Sequence, residues 1–275
     1  MKSALNVGIK LLVSAGLLYY LLLRSDLDAV TDVFAQTAFS FFWVAVLCFV
    51  ASNALGAFQW FLLLGAQDLR VSFRQAVVFY WIGVFFNNVL LGNIGGDAMR
   101  IYDVRRVTGQ ISAGVAATVM DRFIGLFSTC TLALLTFLLV AEVRPAGLVA
   151  VLLPVWGGLV ILLAMGLSRR AGSFLERQTA RVLPVRLADT ISSLRRSIVV
   201  YRHRPIVLLS VWAVSLSVQF CRILVYWYAG LAVGLSAGLV YFIAFQPVAA
   251  VIAALPISIG GLGVRENVLV RLFHQ

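Results

Sequence analysis

The chain is 275 residues long, 62% hydrophobic and 12% charged, with a formal net charge of +11. A soluble domain carries about 25% charged residues, so this composition excludes a water-soluble globule and reads as an integral membrane protein. The positive charge comes almost wholly from arginines outside the apolar runs, which suits loops facing anionic lipid and argues against a nucleic-acid partner.

Lys2 and Lys10 introduce an apolar run with no small-residue cleavage site after it, so 5–23 is expected to be a retained first span. Further spans of about 20 apolar residues are expected at 39–64, 111–141, 147–168 and 206–233. Two more apolar pieces, 75–92 and 236–257, are interrupted by Asn, Gly and Pro. The 24–38 loop sets Asp26, Asp28 and Asp32 against Arg24 and is placed outside. The loop from Arg169 to Pro205 sets nine arginines against Glu176 and Asp189 and is placed in the cytoplasm, as is the N-terminus. Arg100, Arg105 and Arg106 also favour the cytoplasm. Residues 75–92 therefore cannot cross once, and are expected to enter from the cytoplasm and return as a re-entrant or broken hairpin. The same count starts 236–257 from the outer face. Between the two pieces, Val185 to Val200 spaces Leu187, Ile191, Leu194 and Ile198 as the stripe of an amphipathic helix, expected in the cytoplasmic interface.

Two stretches read almost alike: NIGGDAMR, Asn93 to Arg100, and SIGGLGVR, Ser258 to Arg265. At that offset, span 39–64 maps onto 204–229 and broken segment 75–92 onto 240–257. The expected architecture is an all-α integral membrane protein, a polytopic helical bundle with two inverted re-entrant or broken helix hairpins, a pattern of secondary transporters. All 275 residues form a single transmembrane domain, with a first repeat at about 39–110 leading into helix 111–141. The basic loop at 169–205 follows, then a second repeat at about 204–275. The partner of helix 111–141 would begin at residue 276, so the second repeat is expected to lack its final span.

Glycine pairs allow tight turns whose N–H groups bind anions, and arginine forks suit phosphate oxygens. Candidate binding residues are therefore Gly95, Gly96, Gly260 and Gly261 with Arg100 and Arg265. The alternative for each is plainer, with glycines letting helices pack and arginines reaching headgroups. Asn87, Asn88 and Ser258 flank the turns. Asp97, Asp121, Arg122 and Glu266 supply ionisable partners, and an Asp97 to Arg122 bridge fixing the hairpin weighs as much as a substrate site. Asp121 and Arg122 are expected in the cytoplasmic interface, because helix 111–141 exceeds the roughly 30 Å hydrocarbon core. Arg222, deep in 206–233, is expected to face the interior, paired with Glu266 or with a ligand. Asn53, Gln59 and Gln246 read as interhelical glue. Cys48, Cys130 and Cys221 read as core residues. Neither His203 nor His274 belongs to a metal motif, and no catalytic residue, metal or cofactor is expected.

The segments NNVLLGNIGGDAMRIYDVRRVTG, ATVMDRFIGL and LPISIGGLGVRE, taken in order, resemble the membrane region of the lysylphosphatidylglycerol synthase family. That region also occurs as a stand-alone family of flippase-like proteins. In bifunctional members a soluble aminoacyltransferase domain makes a modified lipid and the membrane region moves it across the bilayer. The resemblance implies roles here for Asn88, Gly92, Gly95, Gly96, Asp97 and Arg100, for Asp121 and Arg122, and for Pro256, Ser258, Gly260, Gly261, Gly263 and Glu266. Asp121 stands where the family commonly has glutamate. With no soluble domain, the resemblance implies the translocating half and not the synthase.

The leading expectation is a translocase, not an enzyme, of the cytoplasmic (inner) membrane that moves a phosphate-bearing or polyprenyl-linked lipid. Its partners are membrane lipids with anionic headgroups, and either a second copy of the chain or a separate cytoplasmic partner. The rivals are a membrane-embedded lipid-modifying enzyme using Asp97 or Glu266 as base, and a structural subunit recruiting a cytoplasmic partner.

Overall fold

The computed structural model describes residues 37–89, 94–140, 146–168 and 185–254, with 267, 269 and 270. These form eight α-helices and one 3-10 turn: α1 Phe39–Ala66, α2 Phe73–Val89, α3 Ile94–Thr108, α4 Ile111–Leu139, α5 Ala146–Leu167, α6 Val185–Val200, the 3-10 turn Tyr201–His203, α7 Pro205–Ala232 and α8 Leu239–Ala254. Expected span 5–23 and the Ser258 to Glu266 motif lie outside the described residues.

Four helices are long and apolar enough to cross a membrane: Phe39–Ala66, Ile111–Leu139, Val149–Leu167 and Pro205–Ala232. Each meets the four expected runs within a few residues. Their outer faces carry large apolar side chains such as Trp43, Leu47, Leu138, Ile161, Leu162 and Leu209, all more than half exposed. Helices apolar all round need lipid or a protein interior about them, so the chain is a polytopic membrane protein. Pro154 and Pro247 lie inside α5 and α8, as membrane helices tolerate.

Segment 75–92 differs from expectation in one respect. Residues 73–89 form a single helix, and the returning arm is α3, which begins at the first Ile-Gly-Gly. The arm is not apolar: Asp97, Arg100, Asp103, Arg105 and Arg106 fall within its 15 residues. A capping box starts α2, where Ser72 Oγ accepts from the Gln75 N–H and Gln75 Oε1 accepts from the Ser72 N–H at 2.9 Å. Helix α3 ends at Gly109, whose φ of +74° suits the left-handed terminating position. The two arms run antiparallel, since Gly83 meets both Gly96 and Arg100 while Asn87 meets Gly96.

The chain divides into two compact units whose boundaries fall within α1, α4, α5 and α7. One comprises Asn53–Ser128 and Leu153–Val218 and holds a core of Trp60, Leu63, Leu64, Val104, Met120, Ile124, Tyr201 and Val211. In this unit α1 ends with Asp68 at φ +56°, with the Leu69 N–H on the Leu64 carbonyl and the Asp68 N–H on the Gly65 carbonyl. The Leu63 carbonyl accepts from the Tyr201 hydroxyl at 3.1 Å. Burial pushes that phenol up, so it stays a donor. The amphipathic stretch does form α6, and its last turn docks on protein: Gln67 Nε2 donates to the Ser197 carbonyl at 2.6 Å, and Ile198 packs against the core.

The other unit comprises Met1–Ser52, Thr129–Leu152 and Gln219–Gln275. Within it the Ala38 N–H donates to the Ala232 carbonyl at 2.8 Å, and Trp227 Nε1 donates to the Ala237 carbonyl at 3.2 Å. Phe242, Phe245 and Val248 of α8 are buried there. Cys48, Cys130 and Cys221 are free thiols.

Candidate functional site

Charged side chains inside a membrane protein need partners, and α1, α2, α3 and α4 supply them at one place. Arg100, on α3, is 4% exposed. Its Nη2 donates to Asp97 Oδ1 at 2.6 Å and its Nη1 to Asp121 Oδ2 at 3.2 Å. The guanidinium carbon lies 5.2 Å from the Trp60 ring of α1 and 5.0 Å from the Tyr80 ring of α2, cation–π range for both. Gln59 Nε2 donates to the remaining Asp121 oxygen at 2.8 Å. Asp121 thus takes one charged and one neutral donor.

Arg122 approaches Asp97 side-on. Nε donates to Oδ2 and Nη2 to Oδ1, both at 2.9 Å, a bidentate pair. Its side chain is 45% exposed and that of Asp97 21%, against 4% for Arg100. Burial raises the Asp97 carboxyl, but the hydrogen bond and charge of Arg122, with those of Arg100, outweigh it and hold the group below its ordinary value. Asp97 touches both arginines.

Glycine sets the distance between the arms. A Cβ on Gly96 would overlap the Gly83 carbonyl oxygen, and one on Gly83 would meet Arg100 Cγ at 2.7 Å. The Gly96 N–H donates to Asn87 Oδ1 at 2.9 Å. Gly96 therefore serves close packing, with its N–H taken by Asn87. Opposite, a Cβ on Gly56 would collide with the Tyr80 hydroxyl, so α1 also lets Tyr80 stand against the network.

Of the residues expected at the site, Asn87, Gly96, Asp97, Arg100, Asp121 and Arg122 come together here, with Gly95 half-buried at the start of α3. Asn88 belongs to α2, but its side chain lies outside what is described. Ser258, Gly260, Gly261, Arg265 and Glu266 lie outside the described residues. Arg222 is half-buried on α7 and belongs to the other unit. Asp121 is 9% exposed, and its charge is met by Arg100 and Gln59. The Asp97 to Arg122 bridge is present. Sequence reasoning did not single out Trp60 or Tyr80, aromatic residues in apolar runs whose pairing with Arg100 depends on tertiary approach.

Gln59 Oε1, Trp60 Nε1 and Thr118 Oγ1 are buried and make no hydrogen bond among the described residues. The site thus keeps spare polar atoms on α1 and α4. On another face of α4, Phe123, Ile124 and Phe127 join Leu163, Leu208 and Trp212 around an apolar cavity of about 70 Å³. The Phe127 ring stacks on Trp156 with centroids 5.5 Å apart. Among the described residues no three His, Cys, Asp or Glu side chains gather as metal ligands.

The family model described as Lysylphosphatidylglycerol synthase TM region matches residues 7–275. A UPF0104 membrane protein of Methanothermobacter thermautotrophicus is 24% identical over 249 residues, 80% of this chain and 69% of the relative. A UPF0104 membrane protein of Pyrococcus horikoshii is 22% identical over 145 residues, 52% of this chain and 43% of the relative, so here the match spans under half the relative's length. No solved structure matches.

Proposed function

The chain belongs to the lysylphosphatidylglycerol synthase TM region family, and on that premise we propose that it is a translocase moving a phosphate-bearing or polyprenyl-linked lipid across the cytoplasmic membrane. The N-terminus is cytoplasmic, and the hairpin of α2 and α3 is re-entrant from that side. Partners are membrane lipids with anionic headgroups.

One observation carries this reading: the half-exposed Arg122, fixed by Asp97, stands on α4, a helix apolar and long enough to cross a membrane. A lipid presents the matching pair of features, an anionic headgroup joined to an apolar chain. The enzyme reading with Asp97 as base is weaker because Asp97 is engaged by two guanidinium groups, while Glu266, the other candidate base, lies outside the described residues. A carboxylate held that way is a poor general base, since proton uptake must first break its ion pairs.

The test is reconstitution into vesicles with a headgroup-labelled phospholipid in one leaflet. The proposal expects label to move between leaflets in proteoliposomes, and mass spectrometry to return the lipid unchanged. A new lipid product would favour the enzyme instead, and movement no faster than in protein-free vesicles would remove the proposal.

A further inference from the structure

We propose that the Nε–Nη2 edge of Arg122 is a phosphate site, which the Asp97 carboxylate occupies until a phosphate-bearing headgroup displaces it. This rests on the translocase reading and assigns the two arginines different work.

The contrast begins with access. Arg100 is 4% exposed, bracketed by Trp60 and Tyr80, and bonded to two carboxylates, so an incoming anion reaches it only by dismantling the core of the hairpin. Arg122 is 45% exposed and bonded side-on to Asp97. Its two donors, each 2.9 Å from an oxygen, suit two oxygens on one central atom. A carboxylate presents that pair, and so do the non-bridging oxygens of a phosphate.

Asp97 is suited to leave. The pair is 45% and 21% exposed at its two side chains, so an incoming anion reaches the fork without entering the core of the hairpin. Asp97 also keeps its 2.6 Å bond to Arg100 Nη2 when it swings away, and is not left without a cation. Asp121 cannot replace it, being tied to Arg100 and Gln59. The apolar, membrane-length helix that carries Arg122 favours a phosphate carried on a lipid over free phosphate.

The experiment measures binding to the full chain in detergent, using dioctanoyl phosphatidate, dioctanoylglycerol and inorganic phosphate as separate probes. Removing the internal competitor with Asp97→Asn should tighten phosphatidate binding by about fivefold, the scale of an exposed ion pair. Arg122→Gln should weaken it by about tenfold through loss of charge-assisted hydrogen bonds, and dioctanoylglycerol should bind equally to all three proteins. Phosphatidate binding that is unchanged or weaker in Asp97→Asn would overturn the displacement. Should that variant not fold, full binding by Arg122→Gln overturns the site by itself. Inorganic phosphate competing as well as phosphatidate would assign the fork to free phosphate and overturn the headgroup. If wild-type vesicles show no leaflet movement while this binding pattern holds, the phosphate site stands and translocation falls.

Discussion

Gly83 and Gly96 bring the backbones of α2 and α3 so close that a Cβ on Gly96 would overlap the Gly83 carbonyl oxygen. That approach lets Arg100, one turn beyond Gly96, reach Tyr80 on the opposite arm. Gly96→Ala should therefore cost about 1–3 kcal/mol by overpacking, as inserted methyl groups do in dense cores. Thermal unfolding in detergent measures it. Stability unchanged from wild type would show that the arms have room to part.

Arg100 and Arg122 should separate in mutagenesis. Arg100→Ala leaves Asp121, 9% exposed, with only the Gln59 amide as donor, and breaking such a buried pair costs about 3–5 kcal/mol. Arg122→Ala opens a half-exposed pair and leaves Asp97 its bond to Arg100, so it should cost less than Arg100→Ala. Arg100→Ala should thus fail by unfolding, and Arg122→Ala should stay folded. Equal unfolding temperatures for the two variants would contradict this division.

Spans such as Phe39–Ala66 and Pro205–Ala232 are legible in the sequence because an apolar run as long as the bilayer is thick is rare in chains that fold in water. The returning arm α3 is not, because Asp97, Arg100, Asp103, Arg105 and Arg106 resemble a loop until their partners are known. The pairing of Asp121 is hidden for the same reason, since its neutralising arginine sits on a different helix. Trp60 and Tyr80 are hidden by their surroundings. An aromatic residue in an apolar run carries no local sign that a guanidinium will lie over it.

Acid should weaken the hairpin through Asp97. Its carboxyl titrates below the ordinary 3.8 when folded, so the stability it contributes is full above that value and is lost as pH falls through the lower, folded value. The stability gap between wild type and Asp97→Asn should therefore be flat at neutral pH and shrink below about 3.8. Unfolding midpoints of both proteins across acidic pH check this. A gap that widens with acid would mean the carboxyl is held above its ordinary value.

Single cysteines at Thr108 and Ala237, in a background without Cys48, Cys130 and Cys221, should react with an impermeant maleimide from opposite sides of the membrane. Thr108 closes α3, and Ala237 precedes α8. Reaction from the same side would remove the inverted-repeat reading of the two glycine motifs.

The central claim is that a lipid headgroup engages Arg122, and the most direct test is leaflet movement of a labelled phosphatidyl lipid by wild type, Arg122→Lys and Arg122→Gln, each reconstituted at equal density. Wild type should move the lipid. Arg122→Lys, which keeps the charge but loses the planar fork, should retain a small part of the rate, and Arg122→Gln should fall to that of protein-free vesicles. A folded Arg122→Gln protein moving lipid at the wild-type rate would contradict the account.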